Sequence, residues 1–199
     1  MIYDVQLSGD HVYKVNGGVV PGVSEILRPL MRDAFANVAP ERIERKRIIG
    51  KRVHLITEMI DDDDLDEAAL HSDFVGYVGS YRRFLSEHRV KWLIRERALY
   101  NPVYNYCGML DRNGIVDGRA CVVDFKATAA ISPVSFVQLS AYGDTARRNG
   151  FEWERLHVLQ LKPDGNYVFT KAIEFDEHFC CFVHLLAAKR WEQKHNGGN

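Results

Sequence analysis

The chain has 199 residues, 46% hydrophobic and 27% charged, the length of one ordinary domain and the balance of a protein that buries a core. A formal charge of −1, from 26 basic and 27 acidic residues, excludes a generic polycation that coats nucleic acid but leaves room for a local basic patch. With no apolar run near the ~20 residues of a membrane span, no signal-like start in Met1 to Asp4, and no zinc or secreted-disulfide spacing among Cys107, Cys121, Cys180 and Cys181, the expectation is a cytoplasmic protein with no membrane segment, residues 1–199 forming a single domain.

Beyond a short segment opened by Ser24, the spacing of Ile49, Val53, Ile56 and Ile60 predicts a helix from about Pro40 to Ile60. Within it, residues 41–52 hold six basic and two acidic side chains, and residues 58–67 then hold seven acidic and no basic ones. The ordinary reading is a solvated helix face followed by a solvated acidic loop, since Asp61 to Asp64 lack the glycine and terminal glutamate of a calcium loop. A second helix, about Asp66 to Glu87, carries Leu70, Phe74, Tyr77, Tyr81 and Leu85. The period then changes. Val90, Trp92, Ile94, Ala98 and Tyr100 alternate as a strand, and Tyr104–Asp111 and Arg119–Lys126 read as two more, the last apolar on both faces and therefore central. Ser132-Pro133 opens a helix that closes with Arg147, Arg148 and Gly150. Strands Leu156–Leu161 and Tyr167–Phe175 follow, and Asp176 caps a last helix. The order predicts an α/β (α+β) fold with a mixed sheet flanked by helices.

Several polar residues sit where apolar ones belong. Asp124 and Lys126 share one face of the central strand, and a buried carboxylate costs several kcal/mol unless it is paired or bound to metal. Asp117-Gly118 is a favourable two-residue hairpin turn. That register makes paired numbers sum to 235, which sets Asp111 opposite Asp124, their Cβ atoms roughly 5 Å apart. Two like charges there repel, and a divalent cation removes the conflict; Asn113-Gly114 is a rival turn. Glu96 lies on the strand face of Trp92, Ile94, Ala98 and Tyr100, either as a paired structural acid or as part of the acidic cluster. His54 follows Gly50 by one helical turn, and Gly50 would let that helix approach another backbone closely at a cost of about 1 kcal/mol in propensity. Gln138 and Tyr142, at i and i+4, share a helix face.

Gly108-Met109-Leu110-Asp111, then Asp124-Phe125-Lys126, then Gln138-Leu139-Ser140-Ala141-Tyr142 resemble the PD-(D/E)XK nuclease superfamily, more closely its RecB-like, phage-type exonucleases. Val20 to Leu27 is similar to the start of prophage members, and the likeness extends over residues 19 to 175. The resemblance implies a restriction-endonuclease-like αβββαβ core with an extra strand and a C-terminal helix. It makes Asp111, Asp124 and Lys126 catalytic. His54, Asp111, Asp124 and the Phe125 carbonyl would hold one or two Mg²⁺ or Mn²⁺ ions, with Glu96, Gln138 and Tyr142 as accessory residues. Leu110 stands where the name-giving motif has proline. No cysteine precedes Cys107, so no iron–sulfur cluster of the kind some relatives hold is expected.

The implied function is a divalent-metal-dependent DNA exonuclease of phage-type recombination or repair. The alternatives are an inactive DNA-binding or scaffold module of the same fold and a restriction-like endonuclease. DNA is the expected partner, through Arg45, Lys46, Lys51 and Arg52 of the basic segment. A single-strand annealing protein or recombinase, and a homo-oligomer, are further partners implied by analogy. A nitrogen ligand at His54 would favour Mn²⁺ over Mg²⁺.

Overall fold

In the computed structural model, which describes residues 3–9, 12–35 and 38–196, the chain runs through eight strands and six helices; Met1 and Ile2 of the start discussed above lie outside the described residues. The first strands, β1 (Val5–Leu7), β2 (Tyr13–Val15) and β3 (Gly18–Val20), form a small antiparallel sheet that the sequence reading lacked. Then come α1 (Val23–Ile26), α2 (Arg28–Phe35), α3 (Pro40–Asp61) and α4 (Ser72–Glu87). The main sheet takes β4 (Val90–Asn101), β5 (Tyr106–Val116) and β6 (Arg119–Lys126). It continues through α5 (Pro133–Arg148) to β7 (Arg155–Leu161) and β8 (Tyr167–Lys171), and α6 (Phe175–Asn196) closes the chain. Among the described residues no helix is long and apolar enough to cross a membrane.

The five main strands pair in chain order, and only β6 with β7 is parallel. A parallel neighbour needs a crossover, and α5 supplies it. Two helices, three antiparallel strands, a crossover helix and a parallel strand make the restriction-endonuclease-like mixed α/β arrangement. One flank of the sheet is closed by α1, α5 and α6, around Leu110, Val122, Leu139 and Phe182. The other is closed by α3 and α4, around Val53, Tyr81, Val123 and Phe125. The predicted stripes explain this packing: Val53 and Ile56 are buried, and Ile49 and Ile60 pack beside them. α5 starts and stops as its signals require, the Ser132 side chain accepting from the Val134 N–H at 3.3 Å and Gly150 taking φ 80°. Such a cap is worth about 1 kcal/mol.

Several boundaries differ from the sequence reading: the last strand ends at Lys171 rather than Phe175, and the last helix already starts at Phe175, so that Asp176 lies in its first turn instead of capping it. The helix expected from Asp66 is two pieces. Asp66 accepts from Ala68 N–H to start a single 3-10 turn over Glu67–Ala69, Leu70 is extended, and His71 accepts from Asp73 N–H to start α4. Two side-chain caps thus divide what the apolar stripe joins. β5 begins at Tyr106 and runs on to Val116, through the rival turn Asn113-Gly114. α1 is capped at Gly22 without a side-chain bond, so Ser24 lies inside it rather than opening it.

Candidate active site

Asp117 and Gly118 both take positive φ, 50° and 77°, as a two-residue hairpin with strand-matched twist demands. The β5–β6 register follows: Val116 faces Arg119, and each pair down to Arg112 with Val123 sums to 235. The ladder stops there, one pair before Asp111 and Asp124. In place of the next ladder bond, Asp111 Oδ2 accepts the Phe125 backbone N–H at 2.7 Å. Its other oxygen, Oδ1, lies 3.8 Å from His54 Nδ1. The two aspartates stand where the strands part, and both are buried.

Glu96 reaches the same place through two irregularities in β4. The pairing with β5 shifts between Trp92 and Ile94, leaving Leu93 as the extra residue of a bulge. It then passes from Arg95↔Arg112 to Arg97↔Leu110, skipping Glu96 and Asp111. Glu96 has φ 40°, a left-handed backbone that costs a non-glycine residue about 1–2 kcal/mol. Two contacts hold it: Glu96 Oε1 accepts from Arg112 Nη1 at 2.9 Å and lies 3.0 Å from His54 Nδ1. The bulge also corrects the strand-face reading. Trp92 packs with the α3–α4 flank, whereas Ile94 and Leu99 join the opposite one.

Ligand atoms of His54, Glu96 and Asp111 consequently lie within 4.8 Å of one another. Asp124 stands outside this trio, turned toward Lys126, whose Nζ is 2.7 Å from Asp124 Oδ2. That contact is an ion pair with poor alignment, and Oδ2 is buried without a hydrogen bond. Lys126 Nζ also donates to Gln138 Oε1 at 3.0 Å, and Gln138 Nε2 donates to Tyr142 Oη at 2.7 Å. The two polar residues of α5 thus form a brace for Lys126. Gly108 makes room for it, since a Cβ there would sit 2.7 Å from the Tyr142 ring.

Burial and mutual charge set the protonation of these groups. Burial pushes the Asp124 carboxyl up to about 6, against the pull of Lys126 and with the help of Asp111. Asp111 is raised for the same first reason, with His54 opposing. Burial pulls His54 down, but Asp111 and Glu96 outweigh it and carry the imidazole up to about 9. Burial likewise lowers Lys126, and Asp124 and Asp111 more than restore it. His54 and Lys126 thus favour their charged forms beside two aspartates, Asp111 and Asp124, that burial pushes toward neutrality.

A second buried charge cluster, absent from the sequence reading, supports the trio from behind. Arg112 is fully buried. It donates to Asp61 Oδ2 at 3.1 Å, to Thr57 Oγ1 at 3.1 Å and to the Asp111 carbonyl at 2.8 Å, besides Glu96, and its guanidinium lies 4.9 Å from the Phe125 ring centre. Asp61 also accepts from Tyr81 Oη at 2.5 Å, and Trp92 Nε1 donates to that hydroxyl at 2.9 Å. Asp61 is therefore not part of a solvated loop: its side chain is buried as the counter-ion of Arg112, while Asp62 pairs with Arg95 at the surface. An arginine inside a strand, next to Asp111, was the available signal, because a buried guanidinium requires a carboxylate partner.

The four basic residues expected to meet DNA do not share one face. At about 100° per residue around α3, Lys51 lies about 60° from His54 and Lys46 about 80°, whereas Arg45 and Arg52 lie about 160–180° away. Arg45 and Arg52 instead line a groove between α3 and the start of α4, with Ile48, His71 and Phe74. Arg47, which the sequence reading did not single out, comes within about 20° of His54. Gly50 does not serve a close approach of backbones: among the described residues nothing lies within 4 Å of a Cβ added there.

No family model matches the chain, and no curated protein does. Among solved structures the chain is similar to LHK-Exo in its complex with dAMP, at 13% identity over 89% of this chain and 93% of that one, with a TM-score of 0.40.

The site's own donors decide whether a metal fits. One imidazole and two carboxylates converge, and among the described residues Asp111 Oδ1 and the buried Asp124 Oδ2 both lack a hydrogen bond. That donor set suits a divalent cation of the Mg²⁺ or Mn²⁺ type.

Proposed function

We propose that the chain is a divalent-metal-dependent deoxyribonuclease that hydrolyses phosphodiester bonds from DNA ends, in recombination or repair. The convergence of His54, Glu96 and Asp111 beside the buried Asp124–Lys126 pair carries this reading. His54, Glu96 and Asp111 would hold the ion, with Asp124 and the Phe125 carbonyl completing its shell. Such an ion polarises a phosphoryl oxygen and lowers the pKa of water.

The protein's own residues supply the rest. Lys126, kept protonated by its acidic neighbours, stabilises negative charge growing on the phosphoryl oxygens. Gln138 and Tyr142 hold its ammonium in place. Arg112 fixes the Glu96 carboxylate and, through the Asp111 carbonyl, the strand that presents Asp111. His54 must lose its proton to become a ligand, so ion binding releases a proton and tightens as pH rises.

The test is digestion of end-labelled linear DNA, single- and double-stranded, with Mn²⁺, Mg²⁺ or EDTA, comparing the unsubstituted protein with Lys126→Ala. The expected result is metal-dependent shortening from an end, faster in Mn²⁺, and lost by at least about 100-fold in the variant. Cutting of closed circular DNA would replace the exonuclease reading by an endonuclease one. Binding without cleavage in any metal would leave a DNA-binding module.

A further inference from the structure

Beside the cluster of His54, Glu96 and Asp111, α3 carries one residue whose identity no contact among the described residues explains. Gly50 lies inside a 22-residue helix, where glycine is among the least favourable residues because it surrenders the most backbone freedom. Tight packing would justify it, but a Cβ at Gly50 meets nothing within 4 Å among the described residues. Among the described residues, then, no packing contact accounts for the missing side chain.

Its position offers another reason. Gly50 precedes His54 by one turn, about 6 Å along the axis and about 40° around it. The C-terminal half of this face docks on the sheet through His54, Thr57 and Asp61. The N-terminal half continues past those contacts, with exposed Lys46, Arg47 and Lys51 around the gap at Gly50. Arg47 is paired with Glu44 at 2.5 Å, whereas Lys46 and Lys51 have no carboxylate within 4 Å among the described residues. Positive groups thus border an open strip that ends at the cluster of His54, Glu96 and Asp111.

We infer that this strip is the track along which the DNA backbone reaches the site, and that Gly50 is a positioning residue whose absent side chain keeps the track open. The inference rests on the nuclease reading above. Lys46 and Lys51 contact phosphates, and the backbone passes over Gly50 on its way to the metal ligands. Arg45 and Arg52, on the far side of the helix, take no part.

The track makes stability and binding move in opposite directions. Gly50→Ala and Gly50→Gln both improve helix propensity, and the Cβ of either meets nothing within 4 Å among the described residues, so each raises Tm, by a few degrees. Each also weakens binding of a fluorescein-labelled oligonucleotide, Gln by about tenfold or more and Ala by less. Anisotropy is read in Mn²⁺ in the Lys126→Ala background, which prevents cleavage. Ile48→Gln, on the opposite side of α3, leaves affinity unchanged. Equal affinity of Gly50→Gln and its parent, with DNA still bound, would overturn the track and leave the nuclease reading standing. Unsubstituted protein that neither binds nor degrades DNA overturns both.

Discussion

Two buried charge clusters meet at Asp111, and they are built to opposite standards. Behind the trio, Arg112 has no exposed surface, and every direction of its guanidinium ends on an acceptor: Asp61, Thr57, Glu96 and the Asp111 carbonyl. In front, Asp124 is equally buried, yet its Oδ2 has only a misaligned ammonium. A saturated network is a scaffold, because nothing further can bind to it without breaking it. An under-satisfied one is unstable by design and has affinity left for a ligand. His157 shows that an unpaired buried atom alone does not mark a site. Its Nδ1 is also unpaired, but the ring stacks on Phe169 at 4.0 Å and rests neutral, whereas Lys126 draws Asp124 toward the charged form that burial and Asp111 oppose.

This contrast can be broken by substitution. The largest effect is the loss of cleavage in Lys126→Ala described above, with the fold intact. Next, Arg112→Met should destabilise by about 3–5 kcal/mol, because Asp61 is left as a buried charge without its counter-ion; urea unfolding followed by circular dichroism measures it. Asp124→Asn should differ: cleavage falls as far as in Lys126→Ala, while stability at pH 7 changes by no more than about 1–2 kcal/mol, because burial already pushes this carboxyl toward its neutral form and Asp111 remains as a counter-charge for Lys126. If Asp124→Asn unfolded the protein as Arg112→Met does, the front cluster would be scaffold too.

The smallest effect concerns His157. Burial, with Arg155, Lys171 and His88 adding like charge, pushes its imidazole down to about 4. Between about pH 6.5 and 4 the unfolded chain takes up a proton that the folded one refuses, so this group's contribution to stability is whole above 6.5 and lost as pH falls to 4. The loss is at most roughly 3 kcal/mol. Asp124, raised to about 6, acts in the opposite sense over part of this window. The readout is therefore the difference between unsubstituted protein and His157→Phe, whose melting temperature should fall less on acidification. Parallel profiles would show that His157 carries no acid sensitivity.

Much of this was legible in the sequence. Turn chemistry at Asp117-Gly118, strand alternation at Asp124 and Lys126, the 3.6-residue stripe of α3 and the caps of α5 are local effects, decided by neighbours a few residues apart. They determined the hairpin register as far as Arg112 and Val123, one pair short of the predicted pairing of Asp111 with Asp124, and the shared face of Gln138 and Tyr142. Tertiary structure decided the remainder. The bulge at Leu93 and the left-handed Glu96 bring that carboxylate to His54, 42 residues away, and no local rule announces either irregularity. Asp61 looked solvated because it stands in a run of four aspartates, and only Arg112, 51 residues on, draws it inside. The open strip at Gly50 is likewise a tertiary fact. A sequence shows that a glycine has no side chain, and only the packed chain shows that none of the described residues occupies the space. Periodicity and turn preference act over a few residues, whereas satisfying a buried charge recruits partners from anywhere in the chain.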